Sequence, residues 1–313
     1  MEWTRNLKRY MVGERNLKRY MLGERNLKRY MVGDDVRAVK DRLVELGYLY
    51  QSTHNKFGDD TFKAVKAFQS AANLAVNGIV GYATWCALFA DQPTPAVPIP
   101  TWIAEPARTE IAQALAMVSK KRREICLNAL QYCVDRNTNP QILRGFYIRG
   151  ANLYDKDVSL HVMTEARLNS YFKKTQYQPY FDNGRESMMR SMARASGYTI
   201  VGADCSGMIV GLWRNARVVS SGFDATADHL YSSYCVPTSS PQAGDLAHRS
   251  GHIGLVVCGK KNGISSTGWV VEDGGGAYGI QLNKMTDRRL LDFRDRKVHK
   301  MSKWQNFGDP KIY

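Results

Sequence analysis

The 313-residue chain has no apolar run long enough to span a bilayer, and its opening, "MEWTRNLKRYMVG", lacks the apolar core of a secretory signal. These absences lead us to expect a protein made in the cytoplasm without a signal peptide and with no membrane partner. Work outside the cell would then need release at lysis or by another non-classical route. The six cysteines (Cys86, Cys126, Cys133, Cys205, Cys235, Cys258) make no CxxC pair and no tight spacing. That argues against a disulfide framework and for free, mostly buried thiols. No His, Cys or acid cluster has ligand spacing, so neither a metal nor any other cofactor is expected. Recognition-helix, zinc-finger and aromatic–basic patterns are also missing, and nucleic acid is not an expected partner.

Positive charge is in excess. Forty-four Lys and Arg stand against 29 Asp and Glu, a formal +15. Such a balance favours an anionic polymer, whether nucleic acid, a membrane surface or a teichoic-acid-rich wall, and charge alone does not choose among these. The length suits about two domains.

Residues 1–33 hold an internal repeat, "TRNLKRYMVG", "ERNLKRYMLG" and "ERNLKRYMVG", with nine Lys and Arg against three Glu. A period of ten does not match whole helical turns, and three copies are too short for a solenoid. We read the segment as a duplicated lead-in with only its last copy joined to the module after it; a basic wall-binding or oligomerising arm is the alternative.

Residues 34–90 read as a three-helix module. "DDVRAVKDRLVELGYL" spaces Val36, Val39, Leu43 and Leu46 three or four apart, and Gly47 ends the helix. "DDTFKAVKAFQSAANL" repeats the scheme through Phe62, Val65, Phe68 and Gln69 after a capping start at Asp59–Asp60. A turn at Asn77–Gly78 leads into a third short helix. Four prolines within Asp91–Pro100 then favour a semi-rigid extended spacer, and 91–104 is read as linker.

The remainder, 105–313, opens with helical patterns. "RTEIAQALAMVSKKRREICLNALQYCV" reads as one long amphipathic run, with Cys126 and Cys133 on one face; "NGRESMMRSMARAS" is another, capped at Asn183. His161 has no second ligand near it and reads as an ordinary polar residue. After Gly202 a short helix precedes strand-like segments, "GDLAHR", "GHIGLVVCG", "WVVEDGG" and "YGIQLN". This order predicts an α+β domain with helices on an antiparallel sheet.

The stretch "GADCSGMIVGLW" carries the chemistry. Asp204 is a helix N-cap residue, which places Cys205 in the first turn, where the helix dipole favours thiolate. A cysteine nucleophile needs a base, and the base an orienting group. His252, opening a strand after a glycine, is the better candidate; His248 is its rival, and His229 reads as surface. Glu272 and Asp273 both offer an acceptor, but strand alternation sends them to opposite faces, so only one should reach the imidazole. Taken alone the pattern is weak, and a buried structural Cys205 remains an equal reading.

Two resemblances add to this. "VGDDVRAVKDRLVELGYL…NKFGDDTFKAVKAFQSAANLAVNGIVGYATWCAL" resembles the three-helix peptidoglycan-binding module of wall hydrolases. It includes the Phe-Gly-x-x-Thr, Ala-Val-x-x-Phe-Gln and Gly-x-Val-Gly-x-x-Thr-Trp elements. "DCSGMIVGLW", "QAGDLAHRSGHIGLVV" and "VVEDGGGAYGIQ" together are similar to the NlpC-type cysteine peptidases, papain-like enzymes of bacterial walls. The resemblance implies Cys205 as nucleophile, His252 as base and Glu272 as orienting group, with Asp273 and His248 as alternatives. Asp204 and Ser206 fall where relatives contact the free amine of the peptide. Tyr198, in "ASGYTIVG", stands in for an aromatic-Gly-Gly segment that relatives carry before Asp-Cys. Their third residue is often His, Asn or Gln, whereas an acid stands here.

The expected function is hydrolysis of peptidoglycan stem peptides, at the γ-D-glutamyl–diamino acid bond, as in a phage endolysin or autolysin. Amidase cleavage between muramic acid and L-alanine by the same nucleophile, and wall binding without catalysis, are the other readings.

Overall fold

The computed structural model describes residues 27–51, 54–89, 97–138, 143–174, 184–260 and 264–313. The first two decapeptide copies, most of the proline-rich spacer and Asn183 lie outside them. The chain forms two compact units, 1–97 with 116–120, and 98–115 with 121–313.

In the first unit, α1 (Asp34–Glu45) buries Val36, Val39 and Leu43 on one face. Helix α2 (Asp59–Ala71) buries Ala64, Val65 and Phe68, and α3 (Tyr82–Leu88) closes the core through Trp85 and Leu88. The capping at α2 differs from the sequence expectation. Its N-cap is Gly58, which has no side chain to cap with, so Asp59 and Asp60 act in the first turn through the helix dipole. The unit also begins earlier than residue 34. Leu27 is fully buried in this core and bridges Val80, and Val32 bridges Lys56. The end of the third decapeptide is therefore part of the fold. Gln69 is the polar stitch of the module. Its amide nitrogen donates to the Asn77 side chain, the Ile79 carbonyl and the Thr84 hydroxyl, and its oxygen accepts from the Asn77 and Gly78 amides.

The second unit holds α4 (Ala107–Ala116), α5 (Lys120–Tyr132), β1 (Val134–Asp135), β2 (Gly145–Tyr147), α6 (Glu165–Phe172), α7 (Arg185–Ala195) and β3 (Val201–Ala203). It continues through α8 (Cys205–Asn215), α9 (Ala227–Tyr234), β4 (Cys235–Pro237), β5 (Leu246–Arg249), β6 (His252–Cys258), β7 (Trp269–Asp273) and β8 (Ile280–Lys284). The short hairpin of β9 (Arg289–Leu291) and β10 (Val298–Lys300) precedes the final strand β11 (Asn306–Pro310). The main sheet runs β1-β8-β7-β6-β5-β11-β4, antiparallel throughout except for the parallel pairing of β1 with β8.

Three features depart from the sequence reading. The long helical run is two helices, α4 and α5, with Ser119, a favoured capping residue, just before the second. Helix α7 starts after Gly184 in the left-handed region, with no side-chain cap. Residues 98–104 belong to the second unit rather than to a linker: Ile103 is buried, and the Ala104 amide donates to Asp135 at 2.9 Å. All six cysteines are free, and five are buried.

Candidate active site

Cys205 is the first residue of α8, and its local geometry follows from its neighbours. The Asp204 carboxylate caps the helix, accepting from the Gly207 amide at 2.7 Å and the Ser206 hydroxyl at 2.9 Å. Its second oxygen accepts from the Gly150 amide at 2.8 Å, so the loop before the helix is tied to the cap. Gly207 and Gly211 lie on the helix face turned to residues 151–154. A Cβ on Gly207 would sit 1.9 Å from the Ala151 carbonyl oxygen, and one on Gly211 would meet the Tyr154 amide at 2.6 Å. The glycine of Asp-Cys-Ser-Gly is thus required by close backbone approach. Asp204 and Ser206 spend their polar groups on the cap itself.

His252 opens β6. Two residues on, Gly254 pairs with Glu272 of β7, so His252 and Glu272 share a face of the sheet. A Cβ on Gly254 would lie 2.8 Å from a Val270 methyl and 3.2 Å from the Glu272 Cβ; the glycine keeps this diagonal open. His252 Nε2 meets Glu272 at 2.7 Å. The carboxylate, fully buried, also accepts from Asn283 at 2.7 Å and from the Arg288 guanidinium at 2.7 and 2.9 Å. Trp304 stacks on the imidazole (centroids 5.4 Å, planes 8° apart), and Arg288 lies 4.7 Å over the same indole. Burial by itself would raise the Glu272 pKa. The His252 hydrogen bond and the Arg288 guanidinium more than offset it, leaving the acid at about 2. An ionised Glu272 fixes the imidazole tautomer with hydrogen on Nε2, and Nδ1 makes no hydrogen bond among the described residues.

The Cys205 sulfur rests 4.0 Å from the carbonyl oxygen of Gly251, the residue before His252. No hydrogen bond joins it to the imidazole. The thiol is 7% exposed, and burial, followed by the nearby Asp204 carboxylate, pushes it up to about 12. The Ile253 and Ser206 amides pull the other way without reversing the shift. This corrects the expectation of a thiolate stabilised by the helix dipole: desolvation outweighs the dipole here, and the resting sulfur is a thiol.

Asp273 sits on the opposite face of β7 from Glu272. It is fully buried with no side-chain partner among the described residues, and burial together with Asp204 raises its pKa well above the ordinary carboxylate value against a weak pull from the Gly275 amide. Tyr147, missed in the sequence, stands in the same electrostatic neighbourhood. It pairs with Ala203 across β2 and β3, and burial, then Cys205, Asp204 and Asp273, raise its pKa, so it keeps its phenolic proton.

His248 is committed elsewhere. Its Nε2 meets Asp228 at 2.8 Å, Asn306 lies 3.3 Å from Nδ1, and Tyr231 stacks on the ring at 4.5 Å. Asp228 also accepts from the Gly251 amide at 2.9 Å, so this pair fixes the turn that leads into His252. Tyr198 takes positive φ after α7 and packs against the cluster of Phe146, Met189 and Ile200. His161 pairs with Asp155 at 2.8 Å. Sequence reasoning also missed Arg288, Trp304 and Asp228. None has a spacing signal, because each reaches the site through long-range pairing.

Among the described residues, one trio could approach a cation: Asp292, Asp295 and His299, with ligand atoms within 4.8 Å of one another. Both oxygens of Asp292 are already used by Arg294 and the Asp295 amide, which leaves the trio a poor fit. No helix among the described residues is long and apolar enough to cross a membrane.

No curated protein and no solved structure matches this chain. Residues 32–88 match the family described as "Putative peptidoglycan binding domain", which supports a wall-binding module at this segment of the first unit.

Proposed function

We propose that the chain is a peptidoglycan hydrolase that cleaves wall stem peptides with Cys205 as nucleophile, the first unit holding it on its polymeric substrate. The observation that carries this reading is the buried Glu272–His252 bond at 2.7 Å, beside a cysteine at a helix start that touches the adjoining Gly251 carbonyl. His252 Nδ1 takes the proton from the Cys205 thiol as the sulfur attacks the amide carbon. The tetrahedral oxyanion collapses, the imidazolium hands its proton to the departing amine, and a thioester remains. Water, deprotonated by His252, then attacks the thioester, releasing the acid and restoring the thiol. Glu272 stays ionised throughout and holds the imidazole in place. By resemblance the bond is γ-D-glutamyl–diamino acid, and the amidase reading keeps every residue but moves the bond. The basic charge suits an enzyme of an anionic wall, as an endolysin is.

The raised, nearly enclosed thiol supports the non-catalytic reading, in which the second unit is a wall-associated scaffold. Comparing Cys205→Ala with wild type on purified cell walls separates these. We expect the variant to release no new amino termini while wild type does. Mass spectrometry of the products assigns the bond, since a new diamino-acid terminus means endopeptidase and a freed L-alanine amine means amidase. Equal clearance by both proteins would remove Cys205 from any catalytic role.

A further inference from the structure

The first unit carries an open cavity of about 670 Å³, bounded by Lys40, Tyr50, His54, Lys56 and Lys63 among others. Two of these side chains are unusual for a small helical module. Lys40 is 7% exposed, yet its ammonium makes one hydrogen bond, to the His54 carbonyl, and no ion pair. Two of its three N–H donors therefore have no protein acceptor among the described residues and are left for a ligand or solvent. Burial and then the Arg37 guanidinium lower its pKa, with the Asp41 carboxylate acting the other way. Tyr50 is the opposite case, with 95% of its surface in solvent, a large aromatic left uncovered at the cavity rim. Lys40, Lys56 and Lys63 line the cavity against Asp59 and Asp60, and Asp59 is paired with Arg29 at 3.1 Å.

We infer that this cavity is where the module grips the wall: Lys40 and Lys63 receive a stem-peptide carboxylate while the Tyr50 ring lies against the adjoining amino sugar. The inference rests on the wall-binding assignment and deepens it by naming the surface and the ligand chemistry. A carboxylate supplies the acceptor that Lys40 lacks, and the apolar face of a pyranose ring covers the exposed aromatic. Lys66, one helical turn from Lys63 and also exposed, does not line the cavity; its ammonium lies 5.9 Å from the Phe62 ring. It is a charge control of equal sign on the same helix.

The test is co-sedimentation of the full chain with purified peptidoglycan sacculi freed of other wall polymers. Wild type, Tyr50→Ala, Lys63→Glu and Lys66→Glu are compared, with limited proteolysis reporting that the module is folded. Tyr50→Ala and Lys63→Glu should each weaken binding about tenfold, the scale of one lost aromatic or charged contact, while Lys66→Glu leaves it unchanged. Amidating the stem-peptide carboxylates of the sacculi should abolish the difference between wild type and Lys63→Glu. Equal loss from Lys63→Glu and Lys66→Glu would mean diffuse charge attraction and overturn the cavity assignment. Undiminished binding by Tyr50→Ala would overturn it too. Failure of wild type itself to sediment would strike the wall-binding assignment, and this inference with it.

Discussion

Two acids adjacent in sequence, Glu272 and Asp273, have their pKa values pushed in opposite directions because β7 turns them to opposite faces. Glu272 meets a histidine and a guanidinium; Asp273 meets neither a base nor a cation among the described residues. The stability consequences have opposite signs. The folded pKa of Glu272 is depressed to about 2, so its contribution is fully present above the ordinary carboxylate pKa and is lost as pH falls toward 2. Thermal melts should therefore show wild type losing stability between pH 5 and pH 2 more steeply than Glu272→Gln, whose amide cannot titrate. The folded pKa of Asp273 is raised, so its burial costs nothing while the acid is protonated in both states and costs progressively more as pH rises past the ordinary value. The difference in melting temperature between Asp273→Asn and wild type should shift in the variant's favour from pH 4 to pH 8. A pH-independent difference would mean that the folded pKa of Asp273 is not raised, and a shift toward wild type that it is ionised and partnered. At Cys205, the raised thiol predicts slow alkylation by iodoacetamide at pH 7 in the free protein. Alkylation as fast as that of a free cysteine would show that the sulfur is activated without substrate.

At the scale of elements, the nucleophile is placed by a helix start pressed onto a loop. Gly207 has no room for a methyl group against the Ala151 carbonyl, so Gly207→Ala must push α8 away from residues 150–154. We expect a loss of about 1–3 kcal/mol in chemical denaturation, with any wall-degrading activity falling further than stability because the sulfur moves with the helix. Retention of both would mean that the helix can shift at no cost. The Asp-Cys-Ser-Gly and His-Ile-Gly stretches were legible because their demands are local: a cap, a first-turn cysteine, and a glycine where a side chain would collide. Arg288, Trp304 and Tyr147 were illegible for the converse reason. Their roles come from the segment after β8, the loop before β11 and β2, which sheet pairing alone carries to β6 and α8.

For the molecule as a whole, the +15 charge beside the peptidoglycan-binding domain match predicts that wall attachment has an ionic part. Binding to intact walls should weaken as salt shortens the range of exposed charges, whose screening length falls from about 10 Å at 0.1 M to about 3 Å at 1 M. Sedimentation across that salt range measures it, and the fraction that survives high salt reports the short-range contacts. Salt-independent binding would remove charge from the account of attachment.

The sequence by itself determined the helical pattern of the first unit, the strand pattern after Gly202 and the identity of a capped cysteine at a helix start, because spacing, turn residues and caps act over a few neighbours. Tertiary structure alone decided that Glu272 rather than Asp273 meets His252, that His248 is tied to Asp228, and that the Cys205 sulfur is a buried thiol. Each of those outcomes depends on which groups are brought together and how much water is excluded around them, and neither is encoded in any short stretch of the chain.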